Sequence, residues 1–266
     1  MSTNTAATTN ATSLLTLQGV HTHIGAYHIL HGVDLEVPAG QVTMLLGRNG
    51  AGKSTTLRTI MGLWQASQGR IDFDGQRISA SSPREPAQTP EIAQRGIAYV
   101  PENMGIFADL SVAENLLLAA RGARRLSELD GQRLDWLFGH FPALKKFWLY
   151  PAGKLSGGQK QMLAIARALI EPRRLLLIDE PSKGLAPAII LNLIEALREL
   201  KRGGEHGQAP TTVLLVEQNF MVARALGDRV AVMDNGRVVH AGAMQALAED
   251  EALQQRLLGL SLAAHQ

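Results

Sequence analysis

Three glycines, a lysine and two hydroxyls fall within nine residues, Gly47-Arg48-Asn49-Gly50-Ala51-Gly52-Lys53-Ser54-Thr55. Glycine lets a backbone curl tightly and aim its N–H groups at an anion. A helix opening at Lys53 adds the positive end of its dipole and its unpaired N–H groups. In the pattern G-x4-G-K-[ST], Lys53 bridges the outer phosphates of a nucleotide and the Ser54 hydroxyl reaches Mg²⁺. An apolar run at 42–46 precedes the glycines and reads as a buried strand. That strand-loop-helix context separates the motif from a chance glycine turn before Lys-Ser.

A second apolar run, 175–178, ends on Asp179-Glu180. If this strand lies near the phosphate loop, Asp179 is placed to hold Mg²⁺, directly or through water. Glu180 is placed to act as general base on the attacking water. Alone, two acids at a strand end describe many solvent-facing turns; beside the phosphate loop they gain a role. The third motif is Leu155-Ser156-Gly157-Gly158-Gln159, a second glycine turn at a helix start. Its plain reading is a helix with Ser156 as N-cap. Its chemical reading is a second anion cradle. One nucleotide does not need two cradles from one chain, so the pair makes sense if the second closes over a nucleotide held by another subunit.

The elements that must position these motifs alternate. Strands are expected at 14–20, 33–37, 42–46, 71–73, 96–100, 175–178, 213–216, 230–233 and 237–240, with turns at Asp74-Gly75 and Asn235-Gly236. Helices are expected at 53–61, 159–169, 189–200 and 244–260, and helical spacing runs through 109–155. Loops are expected at 79–90 and 201–210. Apolar strands alternating with helices predict a mainly parallel α/β sheet. The antiparallel strands near both chain ends read as an added sheet.

With 266 residues, 45% apolar and 19% charged, the chain can bury a large core. A formal net charge of +2 does not argue for nucleic acid as a partner. The absence of cysteine excludes disulfides, thiolate metal sites and cysteine nucleophiles. Residues 1–13 lack an apolar block and any Lys or Arg, so they read as a flexible tail rather than a signal peptide. No stretch approaches the roughly 20 apolar residues that span a bilayer.

From residue 14 to 260 the chain resembles the ABC ATPase family, and 155–159 matches the signature that other phosphate-loop ATPases lack. The resemblance implies a phosphate-loop NTPase (RecA-like) core at 14–100 and 157–243, with an added antiparallel β-subdomain. It also implies an inserted α-helical subdomain at about 101–156 that meets a membrane partner, and a C-terminal helix at 244–262. It implies head-to-tail dimers that sandwich two ATP molecules, and places Ser182-Lys183-Gly184-Leu185 in the dimer-contact loop. Within the family, 47–63, 96–115, 181–187 and 216–219 resemble one ATPase subunit of Liv-type branched-chain amino-acid importers. Glu102 and Gln218 suit that subfamily, where most relatives carry glutamine and the switch histidine. Glu102 then contributes to the metal site and Gln218 to catalysis. Adenine usually stacks on an aromatic ring; that position holds Ile24, so either Tyr27 or His23 substitutes for the ring or adenine packs on Ile24 alone.

The implied protein hydrolyses ATP with Mg²⁺. It works at the cytoplasmic face of the inner or plasma membrane with transmembrane permease subunits and a second, non-identical ATPase subunit. A periplasmic or extracellular binding protein would be engaged only indirectly. Two other readings stay open: a soluble ABC ATPase without a membrane partner, and a regulatory nucleotide-binding module, which the missing switch histidine keeps in play.

Overall fold

The computed structural model describes residues 12–79, 89–203 and 209–259. The chain opens with a long hairpin, β1 (Ser13–Ile24) and β2 (Tyr27–Pro38), and enters the main sheet at β3 (Val42–Gly47). Helix α1 (Lys53–Ile60) follows the glycine loop, then β4 (Ala66–Phe73) and β5 (Gln76–Arg77), α2 (Thr89–Gln94) and β6 (Ile97–Val100). The helical stretch contains α3 (Val112–Ala119), α4 (Gly131–His140) and α5 (Pro142–Lys146), and leads into α6 (Gly157–Leu169). Strand β7 (Leu175–Asp179), α7 (Pro187–Arg202), β8 (Thr212–Val216) and α8 (Phe220–Leu226) complete the α/β alternation. The hairpin β9 (Arg229–Asp234) and β10 (Arg237–Ala243), then α9 (Met244–Glu249) and α10 (Glu251–Leu258), end the described chain.

Two sheets result, an antiparallel one ordered β2-β1-β4-β5 and a larger one ordered β10-β9-β3-β8-β7-β6. In the larger sheet all pairs are parallel except β10 with β9. Every residue of β7 and β8 is buried, as strands covered on both faces require. Their side chains alternate between two cores. Leu45, Leu175, Leu177, Leu214 and Val216 meet α1 and the antiparallel sheet. Met44, Leu46, Leu176, Ile178, Val213 and Leu215 meet α6, α7 and α8. The register sets Asp179 opposite Val216, and Val216 opposite Leu45. The loops after β3, β7 and β8 therefore emerge side by side at the carboxyl edge, where open α/β sheets bind ligands.

Several expectations need correction. The hairpin β9–β10 belongs to the main sheet, because β9 pairs with β3 over five residues. Strands β1 and β2 run further than 14–20 and 33–37, carried through irregular register at Gly19 and Gly32, both at positive φ. Thr89 and Pro90 open a helix rather than closing a loop. Residues 80–88 and 204–208 of the two expected loops, and most of the expected tail at 1–13, lie outside the described residues. The C-terminal segment is two helices, since Asp250 leaves helical geometry and its carboxylate accepts from Leu253 N at 2.9 Å. Among the described residues no helix is long and apolar enough to cross a membrane.

Candidate functional site

The phosphate loop is built by packing that admits only glycine at its hinge. Gly47 ends β3 at φ 141°, and a Cβ there would lie 2.2 Å from the Met233 carbonyl oxygen on β9. Gly52, at φ 101°, is the N-cap of α1 and offers no capping side chain, so the helix presents its N-terminal amides to the loop. Ala51 is pinned by two backbone bonds: its amide donates to Arg48 O at 3.2 Å and its carbonyl accepts from Gly236 N at 3.0 Å. Lys53 is 5% exposed. Its ammonium lies back over the loop, donating to Gly47 O at 2.8 Å and Arg48 O at 3.0 Å. Burial lowers the Lys53 pKa, and the Glu180, Asp179 and Glu102 carboxylates oppose that shift.

The strand-end acids are where the alternation of β7 requires. Asp179 is fully buried and accepts from the Ser54 hydroxyl at 3.0 Å. Burial raises its pKa; the Ser54 bond lowers it, and the Glu180 and Glu102 charges raise it further. Tyr99, on β6, adds a longer hydroxyl contact to the other Asp179 oxygen at 3.4 Å. Glu180 takes φ 50°, a left-handed conformation that costs a residue with a Cβ, and its amide donates to Val216 O at 2.9 Å. That turn brings its carboxylate under Gln218. The Gln218 amide donates to Glu180 Oε1 at 2.6 Å and to Asn49 Oδ1 at 2.7 Å. Lys183 donates to Glu102 Oε1 at 2.6 Å, and its ammonium lies 3.8 Å from Glu180 Oε2.

These groups enclose a cavity of about 420 Å³ lined by phosphate-loop residues 49–55 save Ala51, with Ile29, Glu102, Glu180, Lys183 and Gln218. Its volume suits a small ligand. A lysine, helix-terminal amides and oxygen donors from Ser54, Asp179 and Glu102 match a polyphosphate with a hard divalent cation. Arg48 turns instead toward a second cavity of about 280 Å³, beside Phe220 and Leu258.

Of the expected residues, Gly47, Ala51 and Asp179 do not line this cavity but adjoin residues that do, and two further groups are not brought to it. Tyr27 is 75% exposed at the β1–β2 hairpin, and Ile29 lines the cavity instead. Ser156, Gly157, Gly158 and Gln159 do not line it either. They form a reciprocal cap on α6, which begins at Gly157 rather than 159. Gln159 N donates to Ser156 Oγ at 3.3 Å, and Ser156 N donates to Gln159 Oε1 at 2.9 Å. Tyr99, Lys183 and the buried Glu217 escaped the sequence reading as contacts of the site. Tyr99 lies within, and Glu217 directly follows, an apolar run that leads to the same sheet edge, and that was their only signal.

A parallel sheet with a phosphate loop, paired acids and a clamped amide at its carboxyl edge defines a phosphate-loop nucleotide-binding ATPase. The family model described as ABC transporter matches residues 30–183. Over 247 residues the chain is 40% identical to the high-affinity branched-chain amino acid transport ATP-binding protein BraG of Pseudomonas aeruginosa, covering 92% of this chain and 100% of that one. A solved ATP-binding subunit of an ABC transporter superposes with TM-score 0.74 at 32% identity, covering 94% of this chain and 97% of that one. A bacterial ABC transporter cassette solved as a dimer superposes with TM-score 0.74 at 26% identity, covering 86% and 98%. The chain therefore belongs to the ABC transporter ATP-binding family, as an ATPase subunit that binds nucleotide.

Proposed function

We propose that this chain hydrolyses MgATP to drive an importer of branched-chain or related amino acids. The observation that carries the site assignment is the Gln218 amide joining Glu180 to Asn49 in the cavity that Lys53 and Ser54 also line, with Ser54 bonded to Asp179. Glu180 accepts the proton of the attacking water, and Gln218 holds that carboxylate in line. Lys53 swings from the Gly47 and Arg48 carbonyls to the outer phosphates. The amides of residues 49–55 bind the remaining oxygens. Ser54, Asp179 and Glu102 would hold Mg²⁺, which would supply charge neutralisation to the phosphates. Adenine packs by Ile29, with Tyr27 near enough in sequence to close over it.

Because Ser156–Gln159 caps a helix away from the cavity, we assign it to a nucleotide held by a second subunit, in a head-to-tail dimer. The domain division follows: core at 14–100 and 157–243, helical subdomain at 101–156, C-terminal segment at 244–262. Between core and helical subdomain runs a cleft of about 850 Å³ that includes Leu63, Trp64, Met104 and Arg167. It is the surface offered to a transmembrane permease subunit, holding this chain on the cytoplasmic face as a peripheral protein. The second ATPase subunit is non-identical, because neutral Gln218 offers the transition state less charge than a histidine. The binding protein is engaged only through the permease. Purification of the chain with its membrane partners tests this. Amino-acid-stimulated ATP turnover in liposomes supports the reading, and a complex with this chain as its sole ATPase refutes the pairing.

A further inference from the structure

Glu217 is 2% exposed and carries its carboxylate into the protein between two loops. Among the described residues its charge is held by hydrogen bonds alone. Oε1 accepts from Ser182 N at 3.0 Å, and Oε2 accepts from Ser182 Oγ at 2.8 Å, Gln218 N at 3.2 Å and Asn219 N at 3.3 Å. Burial raises its pKa and these donors lower it. A buried carboxylate is costly unless its lone pairs are filled, so the donors are fixed in number and direction. They come from two segments. Ser182 lies two residues after Glu180, and Gln218 is the next residue after Glu217. Since Gln218 Nε2 returns to Glu180 Oε1 at 2.6 Å, the contacts close a ring: Glu180, Ser182, Glu217, Gln218, and back to Glu180.

We infer that Glu217 is a positioning residue that ties the 182–185 loop to the orientation of Gln218 and Glu180. The inference rests on the site reading above. A shift of Ser182, which the proposed dimer places against a second subunit, moves the Glu217 carboxylate. That carboxylate carries the Gln218 backbone with it, and Gln218 carries the base. The phosphate loop touches the ring only through Asn49 among the described residues, which accepts from Gln218 Nε2 at 2.7 Å, while Lys53 and Ser54 bond elsewhere, so turnover falls further than binding. Glutamine cannot replace Glu217. Its NH₂ would meet either the Ser182 amide or the amides of Gln218 and Asn219, donor against donor.

The test uses purified Glu217→Gln, Ser182→Ala, Glu180→Gln and Gln218→Ala, each measured for MgATP turnover and for affinity toward a non-hydrolysable ATP analogue. Glu217→Gln is expected to lower kcat between about tenfold and 10²-fold, the loss expected of a misplaced catalytic group, with affinity kept within about twofold. Ser182→Ala keeps the charge and removes one donor; it is expected to lower kcat about threefold to tenfold without loss of affinity. The double variant Glu217→Gln/Gln218→Ala is expected to be no slower than its slower parent, because both act on one base. Parental kcat in Glu217→Gln, or kcat and affinity falling together, overturns the inference. So does a double variant slowed by the product of the single losses. If Glu217→Gln does not fold, parental kcat in Ser182→Ala overturns it instead. A Glu180→Gln protein that turns over like the parent defeats the underlying site reading, an outcome separate from these.

Discussion

Replacing Glu180 by glutamine separates chemistry from every other role of that residue. The isosteric amide keeps an oxygen facing Gln218 Nε2, so the 2.6 Å bond survives. What disappears is a group able to take a proton at neutral pH. General-base catalysis contributes about 10²–10⁴-fold, which corresponds to about 2.7–5.5 kcal/mol of barrier. The same change leaves stability almost untouched. The lost charge pair with exposed Lys183 at 3.8 Å contributes little, and the lost attraction to Lys53 is opposed by relief of the repulsion with Asp179. The left-handed φ of 50° at this position is also no worse for Gln than for Glu. The expected result is a kcat reduced by at least about 10²-fold, a melting temperature within about 2 °C of the parent, and ATP affinity equal to or tighter than the parent's. Phosphate release at saturating MgATP measures the first, and a fluorescent-nucleotide titration measures the last. Turnover within about threefold of the parent would refute Glu180 as the base, since general-base catalysis typically contributes about 10²–10⁴-fold. Turnover and affinity lost in proportion would assign Glu180 to the loop's architecture.

Other outcomes follow from the same geometry. Lys53→Ala should weaken ATP binding by at least about tenfold, since a charge-assisted bond to phosphate is lost; calorimetric titration of MgATP checks it. In the proposed complex with a non-identical second ATPase subunit, Gln218→His should preserve or raise turnover, and mutating that subunit's catalytic glutamate should cost more turnover than Glu180→Gln. Equal losses from the two glutamates would defeat the claim of unequal sites. On the β1–β2 hairpin, His28 stacks on His23 at a centroid distance of 4.1 Å and meets His31 in a tilted contact at 4.0 Å. The pKa values of His21 and His31 are lowered from 6.5, first by burial and next by His28. Depressed folded-state values mean the unfolded chain binds more protons below pH 6.5. Stability should therefore be full above that pH and fall as pH drops below it, and His28→Gln should flatten the dependence of melting temperature on pH.

The phosphate loop was legible because its chemistry is local. Gly47, Gly52, Lys53 and Ser54 lie within eight residues, and the strand and helix that flank them carry their own periodicity. The features that were not legible depend on residues far apart in the chain. Glu217 reads as a strand-end acid until β7 and β8 pair in parallel and bring Ser182 to it from 35 residues away. Ser54 and Asp179 meet across 125 residues, yet their encounter was anticipated because each motif implies the other around a shared cation. No such shared ligand links Glu217 to Ser182, so only the fold reveals them.

The misplaced C-terminal hairpin marks a different boundary. Its turn, Asn235-Gly236, looks like any hairpin turn, and turn chemistry says nothing about which sheet the hairpin joins. The discriminating signal lay in burial. Strand β1 alternates buried and open positions over much of its length, as a sheet with one covered face does, whereas Val230, Ala231, Val232 and Met233 are buried in succession. Four consecutive apolar residues imply cover on both sides, and among the described residues only the main sheet has helices or a second sheet on each face. Joining that sheet sets the Met233 carbonyl against Gly47 and the Gly236 amide against Ala51. The hairpin read as peripheral is thus a wall of the phosphate loop, and its register is part of what requires glycine at the loop's first position.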